Sequence, residues 1–496
     1  MKLSSILNGI TKAELLDVEI NNITLDSRQA KKGTLFCAIK GHSIDARKFI
    51  PNTIENEVSA VLADNDEQQD YVEIINNTPI IYIKNLNSKL SKIADNFYQS
   101  PSQKANIIGI TGTNGKTTIS QLVCQWIDLI GFKAATMGTI GNGFYGNLQE
   151  AKNTTGSALD IQENIANFVK QGANTVTMEV SSHGLVQNRV DNINFDIAIF
   201  TNLTQDHLDY HKTMEEYFKA KSVLFTKFNT KANILNLDDD YSLKLADLIE
   251  DKKSIIAICT ENENLAKSFK NYVYAQNIEY SQEGLNISVQ SSYGNFVIST
   301  KLIGKFNVLN ILQAFATMIS LGFNTEDIIA AATKLNPVVG RMEVFNNKNQ
   351  ATIIVDYAHT PDALEKALQA SRKHTKNKLW CIFGCGGDRD TTKRPLMAKA
   401  AENLADKIII TNDNPRTEDA NNIVKDILEG LNNKGDAIVL QDRFEATKYA
   451  LDNSSKDDII LIAGKGHEDY QIIGDKTVHY SDRETACQLL NITMKV

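Results

Sequence analysis

The sequence predicts an α/β protein of three domains. A central doubly wound parallel sheet of the phosphate-loop type is flanked by a small N-terminal α/β domain and a Rossmann-like C-terminal domain. Three observations predict this. Short apolar runs alternate with helix-compatible stretches along the chain, the pattern of strand–helix–strand units. The clearest runs end in polar residues able to do chemistry, and open α/β sheets gather ligands at the carboxyl ends of their strands. The chain has 496 residues, more than one ordinary domain, and its strand pattern restarts at Asn336-Pro337.

Taken in order, residues 1–88 contain strand-like runs at 34–39, 59–62 and 79–83 between polar, helix-compatible stretches. Residues 89–335 open on a buried strand at 107–110, a Gly-rich turn and a helix over 119–130. Strands at 175–180 and 195–200 and a helix over 214–225 follow. Residues 336–496 contain strands at 353–355, 380–383, 408–411 and 459–463, and Gly384-Cys385-Gly386-Gly387-Asp388 has the form of a second nucleotide-type turn.

Composition narrows the function classes. The net charge of −8 argues against non-specific partners such as nucleic acid or an anionic membrane. No apolar run approaches the roughly 20 residues that span a bilayer, and the first residues lack the apolar core of a signal peptide. Six scattered cysteines form no zinc spacing and read as reduced thiols. A cytoplasmic, monomeric protein is expected.

The chemistry starts at Gly112-Thr113-Asn114-Gly115-Lys116-Thr117-Thr118. Strand, Gly-rich turn and helix form the context of a phosphate-binding loop. Its glycines admit backbone N–H groups to phosphate oxygens, and the helix N-terminus adds partial positive charge. Lys116 suits the β/γ-phosphates, and the Thr117 hydroxyl suits Mg²⁺. The generic Gly-x4-Gly-Lys-Thr spacing fails by one residue, because position 110 is Ile. Glu179, at the end of a strand, is a natural magnesium ligand, and His207 ends the next strand segment where a second ion could be held.

The run 111–118 resembles the ATP loop of the Mur ligase superfamily, whose members form amide bonds in peptidoglycan precursors and in folylpolyglutamate. Asp206-His207-Leu208-Asp209 and Ala220-Lys221 are similar to further superfamily segments. The resemblance implies that Lys221 is carbamylated and that Thr117, Glu179, His207 and Lys221 serve the metal. A lysine in a low-dielectric site has a depressed pKa, reacts with CO₂ as the neutral amine and becomes an anion. Gly304 to Asn310, Gly340 to Glu343 and Asp356 to Pro361 match nucleotide-site patterns. Asn307, Arg341 and Asp356 are thereby implied at ATP.

Leu25-Asp26-Ser27-Arg28, Gly41-His42, Asn153-Thr154-Thr155, Gly184 to Arg189, Asp413-Asn414-Pro415-Arg416 and Gly464 to Asp469 resemble the muramoyl-tripeptide synthetase branch. The branch implies that Leu25, Ser27, His42, Ser43, Ile44, Asn153, Thr154, Thr155, Ser181, Gln187 and Arg189 bind UDP-MurNAc-L-Ala-D-Glu. Arg389, Asp413, Asn414, Pro415, Arg416, Gly464 and Glu468 are implied at meso-diaminopimelate. The implied catalytic set is Lys116, Glu179, His207 and Lys221. ATP is the implied co-substrate, and closure of the third domain would keep water from an acyl phosphate. A lysine-adding ligase, a folylpolyglutamate-type ligase and a non-catalytic nucleotide-binding regulator are the alternatives.

Overall fold

The computed structural model describes residues 1–13, 18–41, 44–67, 69–151, 153–281 and 284–494. The chain divides into two units. The first comprises Met1–Ile258, Lys267–Asn271 and Ala316–Phe323, and the second comprises Cys259–Ala266, Tyr272–Phe315 and Asn324–Val496.

In the first unit the strand Asn106–Thr111 lies between Thr175–Glu179 and Ile197–Phe200, parallel to both. Ala134–Gly138 extends the parallel sheet on one side, and Ala232–Asn236 and then Ile255–Cys259 extend it on the other. Such strands are covered on both faces, which is why they read as unbroken apolar runs. Ile107, Ile108, Ile110, Val176 and Ile199 are fully enclosed. The order places the chain's direction reversal beside Asn106–Thr111, so the loops after residues 111, 179 and 200 share one edge.

The central sheet is mixed rather than purely parallel. Gly141–Phe144 and Asn147–Gln149 add an antiparallel edge to Ala134–Gly138. A Cβ on Gly143 would stand 2.3 Å from Asn147 O, so this tight hairpin needs a bare backbone there.

The helix expected from residue 119 starts earlier, as Lys116–Leu129, because Gly115 at φ +89° caps it. Lys116 and Thr117 therefore sit in the first turn, where backbone N–H groups have no intrahelical acceptor.

The N-terminal sheet runs Asn22–Thr24, Thr34–Ala38, Ala60–Asn65, Thr78–Lys84 and Tyr71–Ile75. All neighbours are parallel except the last pair, a hairpin.

The second unit holds a six-stranded sheet in the order Glu343–Phe345, Thr352–Asp356, Ile459–Ala463, Leu379–Phe383, Lys407–Ile410, Ala437–Val439. Only the first pair is antiparallel. An antiparallel meander, Asn271–Ser281, Gly284–Ser291 and Gly294–Thr300, and a hairpin, Tyr470–Ile473 with Lys476–His479, complete it. Among the described residues no helix is long and apolar enough to cross a membrane.

Candidate active site

The phosphate loop is held by the strand beside it. Thr113 N donates to Asn202 O at 2.9 Å, Asn114 N donates to Asn202 Oδ1 at 3.0 Å, and Thr201 Oγ1 donates to Asn114 O at 2.6 Å. Gly112 has φ +144°, and a Cβ there would stand 1.9 Å from Thr201 Oγ1. Gly112→Ala should therefore break the loop's seat. Overpacking of this kind typically costs about 1–3 kcal/mol. The expected outcome is lost nucleotide binding by calorimetry with a lowered melting temperature; unchanged binding would contradict the loop geometry.

Two lysines converge on this loop. Lys116 Nζ donates to Gly112 O at 2.8 Å, and Lys221 Nζ donates to the same oxygen at 2.9 Å. Lys221 comes from the helix Met214–Thr226, is buried, and lies 4.5 Å from the Tyr217 ring centroid. Burial, and then the neighbouring Lys116 charge, push its ammonium well below the usual lysine range. A neutral amine is the form that reacts with CO₂.

Glu179 is enclosed and fixed. Its Oε1 accepts from Thr139 N at 2.9 Å and its Oε2 from Thr139 Oγ1 at 3.1 Å. Thr155 links this strand end to Ser181 and Arg189. Its hydroxyl donates to Glu179 O at 2.9 Å and accepts from Ser181 N at 2.9 Å, and its carbonyl accepts from Arg189 Nη1 at 2.7 Å. Thr154 Oγ1 meets Thr139 Oγ1 at 3.1 Å. The Asn-Thr-Thr run thus joins Glu179 to Arg189.

His207 is exposed, has φ +52° and lies 3.4 Å from Asp206. It belongs to an aromatic cluster, with His183 at 5.1 Å and Tyr217 at 6.1 Å between ring centroids. Among the described residues no group of three or more His, Cys, Asp and Glu is placed to hold a metal. The donors at hand are the hard oxygens of Glu179 and Thr117 and the His207 imidazole. The two hard oxygens are the donor type that Mg²⁺ takes, whereas both Glu179 oxygens accept from Thr139 and an imidazole is a softer donor.

A cleft in the same unit is lined by Leu25, Ile39, Asn87, Leu90, Asn153, Ser157, Asp160, Gln187 and Arg189 among others. It joins four residues expected at one ligand from three distant segments: Leu25, Asn153, Gln187 and Arg189. Gln187 Oε1 orients the Arg189 guanidinium, accepting at 2.6 Å from Nη2. Ser27 lies on the 3-10 turn Ser27–Gln29 and Ile44 is exposed; neither lines the cleft. His42 and Ser43 lie outside the described residues.

In the second unit, Asp356 accepts from Met342 N at 2.7 Å and Ala358 N at 2.9 Å, and burial pushes its carboxyl up. Arg341 stacks 4.7 Å from the Tyr357 ring, which also neighbours His359 at 4.7 Å and His467 at 5.1 Å between centroids. Asn307 is buried, donating to Ile303 O at 2.7 Å and accepting from Asn310 Nδ2 at 3.0 Å.

The glycines at 384 and 387 have a structural reason. A Cβ on Gly384 would stand 2.2 Å from Thr411 O, and one on Gly387 would stand 1.9 Å from Pro415 O. The Gly-rich turn is the seat of the segment 413–416. Arg416 has φ +53°, its N–H donates to Ile472 O at 3.0 Å, and its carbonyl accepts from Gly474 N at 2.7 Å. Its Nη1 donates to two carbonyls, Gly387 O at 2.9 Å and Asn414 O at 3.4 Å. Asn414 Nδ2 donates to Glu468 Oε2 at 3.4 Å. Gly464 makes room for Asp413, whose Oδ2 would stand 2.7 Å from a Cβ there. Arg389 is exposed on the neighbouring turn.

Three family models match the chain in order: "Mur ligase family, catalytic domain" over residues 19–98, "Mur ligase middle domain" over 110–318, and "Mur ligase, glutamate ligase domain" over 340–466. A curated relative from Vibrio parahaemolyticus serotype O3:K6 (strain RIMD 2210633), UDP-N-acetylmuramoyl-L-alanyl-D-glutamate--2,6-diaminopimelate ligase, is 49% identical over 97% of this chain and 96% of its own.

The chain belongs to the Mur ligase family.

A relative of the same name from Haemophilus influenzae (strain PittEE) is 48% identical over 96% of this chain and 97% of its own. A solved structure of a ligase of that name is 33% identical with a TM-score of 0.73, covering 99% of both chains. MurF from Acinetobacter baumannii shares the three-domain fold at 17% identity, with a TM-score of 0.67 and 99% of both chains covered. In this Mur ligase, sequence reasoning missed Thr139, which clamps Glu179, and Tyr217, which covers Lys221. Thr139 acts through a tertiary contact with no local signature, whereas Tyr217 stands four residues before Lys221 on the helix Met214–Thr226, an i,i+4 spacing signal that was overlooked. Asp160 had one, the capping box with Ser157, but that signal speaks of a helix start rather than a cleft.

Proposed function

We propose that this Mur ligase joins meso-2,6-diaminopimelate to the D-Glu γ-carboxylate of UDP-MurNAc-L-Ala-D-Glu, with ATP cleaved to ADP and phosphate, in cytoplasmic peptidoglycan precursor synthesis. The carrying observation is 49% identity along nearly the whole chain to an enzyme of that printed name. We assign residues 1–88 to the uridine end, 89–335 to ATP and the peptide, and 336–496 to the amino acid.

A carboxylate is a poor electrophile because oxide is a poor leaving group. In the reaction its oxygen attacks the γ-phosphorus and the bond to ADP breaks. The amine of diaminopimelate then attacks the acyl carbon and loses a proton. The tetrahedral intermediate expels phosphate, which departs with the C–O electron pair. Arg189 and Gln187, fixed through Thr155, hold the peptide near Glu179. Lys116 neutralises the transferring phosphoryl group, and backbone N–H groups of the first helical turn add to it. Asn307, Arg341 and Asp356 are assigned to ATP. Thr117, Glu179, His207 and Lys221 as its carbamate would hold Mg²⁺, which supplies further charge neutralisation at the phosphates when bound. Positioning and charge carry the catalysis.

Carbamylation of Lys221 also relieves a conflict. As ammonium groups, Lys116 and Lys221 would be two like charges on one carbonyl oxygen; a carbamate turns one of them into an anion beside the other. Lys221→Ala should lower turnover about 100-fold, with partial recovery on adding small carboxylates. A carbamate signal from ¹³C-labelled CO₂ should vanish in the variant. Full activity of the variant, or an unmodified Lys221 with nucleotide bound, would contradict the assignment.

The acyl phosphate is tested by omitting the amino acid. With ATP, UDP-MurNAc-L-Ala-D-Glu and hydroxylamine, the enzyme should form the γ-hydroxamate and release ADP. ADP release without hydroxamate would contradict the intermediate. A lysine-adding reading is the second choice; Arg416, half-buried and held by the carbonyls of Gly387 and Asn414, favours a substrate with a second carboxylate.

A further inference from the structure

Lys465 sits between Gly464 and Glu468, and the reaction as derived gives it no task. Its side chain is fully enclosed. An ammonium survives burial only with close partners. Lys465 Nζ donates to Glu468 Oε2 at 3.1 Å and Asn414 Oδ1 at 3.3 Å, and stands 3.9 Å from Asp413 Oδ1. It also lies 5.4 Å from the Tyr470 ring centroid. Glu468 is held from its other oxygen by the Tyr357 hydroxyl at 3.5 Å, and Asn414 Oδ1 also accepts from Ile472 N at 3.0 Å.

We infer that Lys465 is the positioning residue that sets the ammonium-binding side of the amino-acid site. This rests on reading Asp413, Asn414 and Glu468 as part of that site. Those three residues come from two distant segments, and one buried cation is the group they share. Without it, Asp413 and Glu468 would be two neighbouring carboxylates with no fixed geometry. With it, the three charged groups leave a net single negative charge, which matches one substrate ammonium. Lys465 touches the groups that bind substrate and acts through them. A guanidinium could not replace it, because the site encloses a compact three-donor head rather than a planar fork.

The test is steady-state kinetics on the full-length enzyme with Lys465→Met, Glu468→Gln and the double variant, varying each substrate in turn. Lys465→Met should raise KM for diaminopimelate at least about 30-fold, as expected when one partner of a buried charge pair is removed. KM for ATP and for the UDP-dipeptide should stay within about twofold, because those ligands meet other residues. In the Glu468→Gln background, adding Lys465→Met should change KM for diaminopimelate by less than about threefold, because residues acting as one unit are not additive. The double variant removes the cation with its nearest anion, so it provides the measurement if Lys465→Met alone does not fold. An unchanged KM for diaminopimelate, equal rises in all three KM values, or additive effects would overturn the inference. If wild type takes lysine instead, the choice of amino acid fails, and the same kinetics with lysine varied still decide the role of Lys465.

Discussion

Lys116→Ala should lower turnover by a factor of about 10² to 10³ while the protein stays folded. The ammonium stands in the first helical turn beside the loop, bonded to Gly112 O at 2.8 Å and Thr113 O at 2.9 Å. In the proposed reaction this ammonium neutralises the charge that grows as the γ-phosphoryl group leaves ADP. Losing one such donor costs about 3 kcal/mol of transition-state stabilisation. Stability should change little, because the side chain is half-buried and Gly112 O keeps its second donor, Lys221 Nζ at 2.9 Å. Single-turnover measurement of ADP formation separates this from slow product release. Near-normal turnover would sink the phosphate-loop assignment.

Arg416→Ala should lower kcat/KM for meso-diaminopimelate by about 10³ to 10⁴ with little change in KM for ATP. The guanidinium is aimed by its surroundings. Pro415 precedes it, its own backbone takes the left-handed region at φ +53°, and the hairpin pins it through Ile472 O and Gly474 N. A left-handed backbone at a non-Gly residue costs energy, and such positions concentrate at ligand sites. A Cβ on Gly386 would stand 2.9 Å from Arg416 Nη1, so that glycine leaves the space in which the side chain lies. A planar fork matches a carboxylate in bidentate fashion. Lysine, lacking the second carboxylate, would leave the guanidinium without its charge partner. The check is kcat/KM for diaminopimelate and L-lysine in wild type and variant. A variant that keeps its preference for diaminopimelate would remove Arg416 from the specificity account.

The phosphate loop was legible because its chemistry is contiguous: strand, glycines, lysine and hydroxyl follow one another in the chain. The strands at 175–179 and 459–463 were legible because burial on both faces requires unbroken apolar runs. Hairpins were not. Asn76 and Asn77 take φ +48° and +64°, which turns Tyr71–Ile75 against Thr78–Lys84, but an Asn pair is a weaker signal than Asn-Gly. The long alternating strands of the meander Asn271–Ser281, Gly284–Ser291 and Gly294–Thr300 were also passed over. The convergence of Leu25, Asn153, Gln187 and Arg189 on one cleft has no local signature, and only the resemblance brought them together. The glycines at 384 and 387 read as a nucleotide turn, whereas their immediate task is to let the segment 411–415 approach. Close backbone approach and phosphate binding select the same residue, so sequence alone does not separate them.

The most direct test of the central claim is amino-acid-dependent ADP release from ATP and UDP-MurNAc-L-Ala-D-Glu, measured across diaminopimelate, lysine, ornithine and glutamate. Rapid release is expected with meso-diaminopimelate, and release with lysine lower by about 10⁴-fold. Release that favours lysine would contradict the specificity, and release that no amino acid accelerates would contradict ligation itself.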